Sequence, residues 1–294
     1  MSRAPAGGPA RWPAGPGFLA QMHPARRLVE IRVLNNARNL GVSTLHSDFF
    51  YVLPMAPSLY PDLIPSYEHE RLEALQPYQV LGTPGQGLFN DFVSVVAKLF
   101  DVPIALVSLV RATDVVFIGN EGLPESPVVP REDSMCSVAI LQDGLTVFED
   151  LTTQPCALVN PFAAQQQNLA FYAGQALRTP DGMAIGSLCV LDRRPRQLSL
   201  AEGQLLEQLA LVAQDLLQLS AAQATDPALA SALRRRLDGP LHQSLTRLAT
   251  LAQLREWDSA ADTAEAQRYA NTRLEEAHYL AQRMHRELQA ALGK

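Results

Sequence analysis

Three cysteines, Cys136, Cys156 and Cys189, are the residues of this 294-residue chain best suited to chemistry. A thiolate is a nucleophile for redox and transfer reactions, and Cys136 sits just after Ser134 in a short apolar stretch, where a helix N-terminus would activate it. At spacings of 20 and 33 residues the three fit neither a paired zinc knuckle nor an even-numbered disulfide framework. Reduced thiols in a cytoplasm are the simplest reading. Free cysteine is also among the most buried residue types, so packing is the expected role of Cys136 and of Cys189, which lies mid-strand. The other candidates are blander. Glu149-Asp150 ends an apolar run, where a carboxylate is more often a cap or turn former than an acid catalyst. Asp181 and Asp192 read as surface residues, and His242, His278 and His285 as solvated histidines on helix faces. Glycine-rich phosphate loops and metal-spaced His/Asp clusters are absent. The sequence therefore names no catalytic residue, no metal ligand and no cofactor.

Charge narrows the partners. Residues 1–65 carry six Arg and three acids, residues 66–221 eight basic and eighteen acidic side chains, and residues 222–294 ten and nine, giving +3, −10 and +1. An acidic middle without a basic patch argues against nucleic-acid binding. No apolar run approaches the roughly 20 residues that span a bilayer, so no membrane is expected. No secretory signal is evident either. The first 17 residues hold four Pro and four Gly, a composition poor in buriable surface, and disorder is expected through most of residues 1–65. Met55 offers an alternative start to Met1.

Elements that position the candidates follow from local signals. Phe171–Leu177 and Met183–Leu191 flank Arg178-Thr179-Pro180-Asp181-Gly182, which specifies a β-hairpin: Pro presets φ, Asp bonds its own backbone, and Gly supplies positive φ. Gly174 and Gly186 inside those strands signal a bulge or a close approach to the backbone. Phe89, Phe92, Val93, Val96 and Leu99 recur at helical spacing. Ser134 to Leu141 suits a short helix, and Ser199 with Glu202 forms a capping box. The predicted order is helix, helix, strand, strand, helix, strand, irregular segment, strand, strand, helix. This is an α+β fold: an antiparallel sheet with helices on one face and a pocket on the other.

The ordered set resembles the sensory GAF domains of bacterial signalling proteins, over Ser66 to Ser220. It comprises Glu70-Arg71-Leu72-Glu73-Ala74-Leu75, Tyr78-Gln79-Val80-Leu81-Gly82-Thr83-Pro84, Pro103 to Val110, Arg131 to Cys136, Glu149-Asp150, Asn160-Pro161-Phe162 and the hairpin. The resemblance implies a GAF-type sheet over residues 66–221 and a pocket for a small molecule walled by Phe117, Ser134, Cys136, Asp150, Asn160, Phe171 and Tyr172. The sequence departs from the family at two points: Val116-Phe117-Ile118-Gly119-Asn120 replaces an aromatic-basic run, and Ala170 stands where an Arg is frequent. Without those cations an anionic ligand is disfavoured. Three thiols also resemble the free methionine sulfoxide reductases, which would pair Cys136 with Cys156 across the pocket. The Cys-His of bilin-binding relatives is missing.

Residues 222–294 read as an antiparallel two-helix hairpin with coiled-coil character. Asp226-Pro227 starts the first helix, with Leu233, Leu237, Leu241, Leu245 and Leu248 along it; Ala270, Leu274, Ala277, Ala281, Met284 and Leu288 mark the second. Leu205, Leu209, Val212, Leu216 and Leu219 continue the 4-and-3 seam upstream. The segment Arg235 to Leu241 resembles the phospho-acceptor box of sensor histidine kinases, with Arg235 in place of the phosphorylated His. The implied protein is a cytoplasmic, non-enzymatic, two-component-type sensor, a homodimer through its C-terminal helices, with a histidine kinase or response regulator as partner. The competing readings are a thiol reductase and a truncated sensor kinase.

Overall fold

The computed structural model describes residues 60–81, 87–123, 128–225, 239, 242–253 and 264–293. The Asp226-Pro227 start, Arg235 and most of the expected leader lie outside the described residues. Helices α1 (Glu68–Leu75) and α2 (Gly87–Phe100) precede strands β1 (Ile104–Val110), β2 (Asp114–Glu121) and β3 (Val128–Pro130). Helix α3 (Cys136–Ala139), β4 (Thr146–Phe148), α4 (Pro161–Gln166), β5 (Phe171–Arg178) and β6 (Ala184–Asp192) follow, then α5 (Leu200–Thr225). Helix α6 covers residues 242–253 and α7 spans Ala264–Ala291. None of the described helices is long and apolar enough to cross a membrane.

All six strands form one sheet in the order β3-β2-β1-β6-β5-β4, and every pairing is antiparallel. With its flanking helices this is the GAF-type α+β fold that the sequence implies. The hairpin turn falls where Pro-Asp-Gly places it: Arg178 pairs with Ala184, and Gly182 has φ +89. Gly186 serves a neighbouring strand, because a Cβ there would stand 1.8 Å from the Ser108 carbonyl oxygen on β1. The capping box also forms, with the Ser199 amide donating to the Glu202 carboxylate at 2.9 Å and the Glu202 amide to Ser199 Oγ at 3.3 Å. Two elements escape the sequence reading. The three-residue edge strand β3 is too short for periodicity to register, and α4 occupies the segment expected to be irregular, although Asn160 caps it and Pro161 fills its first position.

Strand alternation divides the core into two layers. Ala105, Val107 and Leu109 of β1, with Leu188 and Val190 of β6, face a layer built by α2 and α5. Ile104, Leu106 and Val110, with Cys189 and Leu191, face a second layer that includes residues of α3. Helix α5 is apolar nearly all round because it is sandwiched: it packs on β5 and β6 on one side and on α7 on the other. Its seam residues Leu205, Leu209, Val212, Leu216 and Leu219 are buried within one chain, alongside Leu245 and Leu248 of α6 and Ala277, Ala281, Met284 and Leu288 of α7. The apolar stripes are thus covered by α5 inside the chain, without a second copy. His285 is not the solvated histidine expected: its Nδ1 lies 2.5 Å from Asp215, a carboxylate of α5 that is only 1% exposed.

A second buried charge system ties the N-terminal helix to the sheet. Arg71, fully buried, donates to the Val110 carbonyl at 2.8 Å and to Glu68 at 2.7 Å, and Arg131 reaches the same carboxylate at 2.5 Å and the Leu63 carbonyl at 2.8 Å. Burial raises the Glu68 carboxyl, but hydrogen bonds and charge from Arg71 and Arg131 outweigh it and leave the group below its ordinary value. Two residues of the resemblance motifs, Arg71 and Arg131, are therefore bound to structure rather than to ligand.

Candidate functional site

The side of the sheet away from α2 and α5 is incompletely filled. A cavity of about 280 Å³ lies between the sheet and the segment running from Asp133 through α3 and α4. Leu106 of β1, Phe117 of β2, Tyr172 of β5 and Leu191 of β6 form its sheet side. Asp133, Ser134, Met135 and Cys136 line it from α3 and the turn before it, while Val159, Asn160, Ala163, Ala164 and Gln167 line it from α4 and its start.

Helix α4 is held in place from its N-terminus. Asn160 Oδ1 accepts from the Phe162 amide at 3.1 Å, its Nδ2 donates to Asp133 at 2.8 Å, and its backbone amide donates to the Glu132 carbonyl at 2.8 Å. One side chain thus caps the helix and clamps it to the turn before α3. Ser134 Oγ accepts from the Cys136 amide at 3.3 Å within the turn before α3, but the N-cap position of that helix is Met135, so Ser134 orders the turn rather than capping the helix. The wall is mostly apolar, with hydrogen-bonding groups on Ser134, Asn160 and Gln167. Asp133 is the charged member among the described lining residues, and Lys and Arg are missing from them.

Five of the seven residues that the sequence singles out line this cavity: Phe117, Ser134, Cys136, Asn160 and Tyr172. Asp150 and Phe171 do not. Phe171 immediately precedes Tyr172 on β5, and alternation sends it to the opposite layer, where it is fully buried among α2 and α5 residues. Asp150 forms an Asx turn, accepting from the Thr152 amide at 3.0 Å and the Thr153 hydroxyl at 2.8 Å. Hydrogen bonds from the Thr152 hydroxyl first and the Thr153 hydroxyl next hold its carboxyl below the ordinary value. The lining residues of α4 went unseen because that helix did; Asn160-Pro161 was the signal that would have found it.

The floor of the cavity side holds a polar cluster. Cys136 Sγ is 3.7 Å from Cys189 Sγ, and both residues are buried. The reductase-type pairing of Cys136 with Cys156 is not the one in the structure: the sulfur facing Cys136 belongs to Cys189. Beside them, Ser108 and Ser187, opposite each other on β1 and β6, have their hydroxyls 3.0 Å apart. The Tyr172 hydroxyl is buried with no hydrogen-bond partner of good geometry. It reaches the cluster because Gly174 is opposite Cys189: a Cβ at 174 would stand 2.4 Å from that hydroxyl. Gly174 thus makes room for a side chain of its own strand rather than for a ligand. Hydrogen bonding from Cys189, against burial and with help from Ser108, Ser187 and Ser134, draws the Cys136 thiol down to about 6. Burial, then the neighbouring Cys136, pushes Cys189 well above its ordinary value, and burial does the same to Tyr172.

Fold and cavity together give an antiparallel sheet flanked by helices, the architecture that the GAF resemblance implies, with a mostly apolar pocket on one face and neither Lys nor Arg among its described lining residues. No protein-family model matches the chain. A cyclic di-GMP phosphodiesterase of Pseudomonas aeruginosa is 34% identical over 132 residues, which is 45% of this chain but 22% of that protein, so the chain spans a small part of this relative's length. Among solved structures, the GAF domain of an Acinetobacter phosphoenolpyruvate-protein phosphotransferase is 14% identical and covers 53% of this chain and 98% of its own, at a TM-score of 0.40. The free methionine-R-sulfoxide reductase of Neisseria meningitidis is 18% identical, covering 51% and 89%, also at 0.40.

Proposed function

We propose that this chain is a sensory or regulatory protein whose GAF-type domain binds a small, uncharged or weakly polar molecule without turning it over. The observation that carries this reading is the 280 Å³ cavity, walled mainly by apolar side chains and carrying Ser134, Asn160 and Gln167 as orienting groups. With neither Lys nor Arg among its described lining residues, the wall offers an anion no opposite charge, and a phosphorylated ligand would meet the Asp133 carboxylate instead. Similarity to part of a cyclic di-GMP phosphodiesterase supports a regulatory setting, since the matched stretch is a minor share of that protein. The partners are a second copy of the chain and a histidine kinase or response regulator, in a cytoplasmic signalling system. Because α5 and α7 bury their stripes against each other, a homodimer has to use what they leave exposed, including Leu211 of α5 and Tyr279 of α7.

Native mass spectrometry of the freshly purified full-length chain tests both parts. The expected result is a dimer carrying one small molecule per chain, lost in the Ala164→Trp variant, whose indole fills the cavity. An empty cavity that also takes up nothing from a library of uncharged metabolites would end the ligand reading. A monomer at tens of micromolar would end the dimer reading.

A further inference from the structure

We propose that Cys136 and Cys189 form a redox-active dithiol, which hydrogen peroxide or a small organic hydroperoxide entering through the cavity converts to a disulfide. The inference stands apart from what else the cavity binds, because it rests on the two sulfurs and their surroundings. They come from different elements, α3 and β6, and lie 3.7 Å apart, so bond formation at about 2.05 Å asks for an approach of under 2 Å. Helix α3 is a single turn, able to move that far without dragging a long element with it.

Access and reactivity are divided between the sulfurs. Cys136 belongs to the cavity wall, whereas Cys189 is fully buried behind it. An oxidant in the cavity therefore meets Cys136 first. The two thiols share one close contact, and the cavity opens onto Cys136 alone, so the sulfur exposed to the oxidant is Cys136 and the one placed to resolve it is Cys189. Tyr172, held protonated by burial, places its hydroxyl beside the two sulfurs and Ser187.

The chemistry balances with the peroxide as oxidant. The Cys136 sulfur attacks one peroxide oxygen as its thiolate; an S–O bond forms, the O–O bond breaks, and the departing oxygen takes up the proton that the Cys136 thiol gave up, to leave as water or alcohol. Cys189 then attacks the sulfenic sulfur. The S–S bond forms, the S–O bond breaks, and the hydroxide leaves with the Cys189 proton as water. Two thiols have lost two electrons and the peroxide has gained them; an external dithiol reverses the change by exchange.

The test uses the full-length, fully reduced chain, treated with hydrogen peroxide and then alkylated and mapped by mass spectrometry. The expected product has lost two hydrogens, carries a Cys136–Cys189 crosslink, leaves Cys156 free and returns to three thiols with dithiothreitol. Cys189→Ala should stop at a Cys136 sulfenic acid that dimedone traps, and Cys156→Ala should behave as the parent. A crosslink through Cys156 would overturn the proposal. So would a folded parent chain whose Cys136 and Cys189 survive peroxide doses that oxidise the urea-unfolded chain, a result that needs no variant to fold.

Discussion

The two faces of the sheet are built from the same strands and solve different problems. Toward α2 and α5, alternate residues such as Val107, Phe171, Leu188 and Val190 meet a continuous apolar layer extended by α6 and α7. Toward α3 and α4, their neighbours Leu106, Tyr172 and Leu191 border a cavity, with a thiol and hydroxyl cluster set among them. Complete packing on one side gives stability. It also frees the other side to carry void space and buried polar groups, which cost stability but supply a place for a ligand and for chemistry.

The most damaging way to break this division is through the charges that brace the cavity side. Arg71→Ala leaves Glu68 facing Arg131 alone and removes a bond to the Val110 carbonyl; a loss of about 3–5 kcal/mol is expected in urea unfolding. The pH dependence follows from the same site. Because the Glu68 carboxyl is held below its ordinary value of 4.5 in the folded chain, its contribution is complete above that value and disappears as pH falls through the lower folded value. Glu68→Gln should flatten acid unfolding in that window, and an unchanged acid limb would show that the carboxylate adds nothing.

Phenylalanine truncation compares the faces directly. Phe171→Ala, in the packed layer, should cost about 3–5 kcal/mol. Phe117→Ala should cost less, about 2 kcal/mol, since its ring already borders a void and its removal enlarges an existing cavity. Equal losses would mean that the cavity face is packed as tightly as its opposite. Gly174→Ala pushes a methyl group toward the Tyr172 hydroxyl, and a penalty of about 1–3 kcal/mol is expected, together with slower peroxide oxidation of Cys136. The smallest effect belongs to Asp150→Ala. As a surface turn residue it should leave ligand occupancy unchanged in native mass spectra, and a loss of ligand would return Asp150 to the binding site.

Local signals explain how much of this was legible in advance. Pro-Asp-Gly, the Ser199–Glu202 box and the helical spacing of Phe89 to Leu99 each report an interaction within a few residues, and each appears where the sequence puts it. Ser134, Cys136 and Tyr172 were recognisable as pocket residues through the family resemblance. Phe171 departs from the wall that the resemblance implies, because strand period turns it to the face opposite Tyr172. Asn160-Pro161 is a helix-start signal too, but the helix it starts is only six residues long, too short for side-chain period to mark it.

What the sequence determined by itself is most of the elements, β3 and α4 excepted, and the α+β class, because capping, turn chemistry and side-chain period act through neighbours along the chain. Only the tertiary structure decided that Arg71 and Arg131 share Glu68, that Asp215 meets His285, and that Cys136 faces Cys189 rather than Cys156. Each of these joins residues distant in sequence, and which distant groups meet depends on strand order and on the sheet face to which each side chain is turned. A helix or strand signal contains neither, so the partners of a buried charge or thiol become visible only when the layers are assembled.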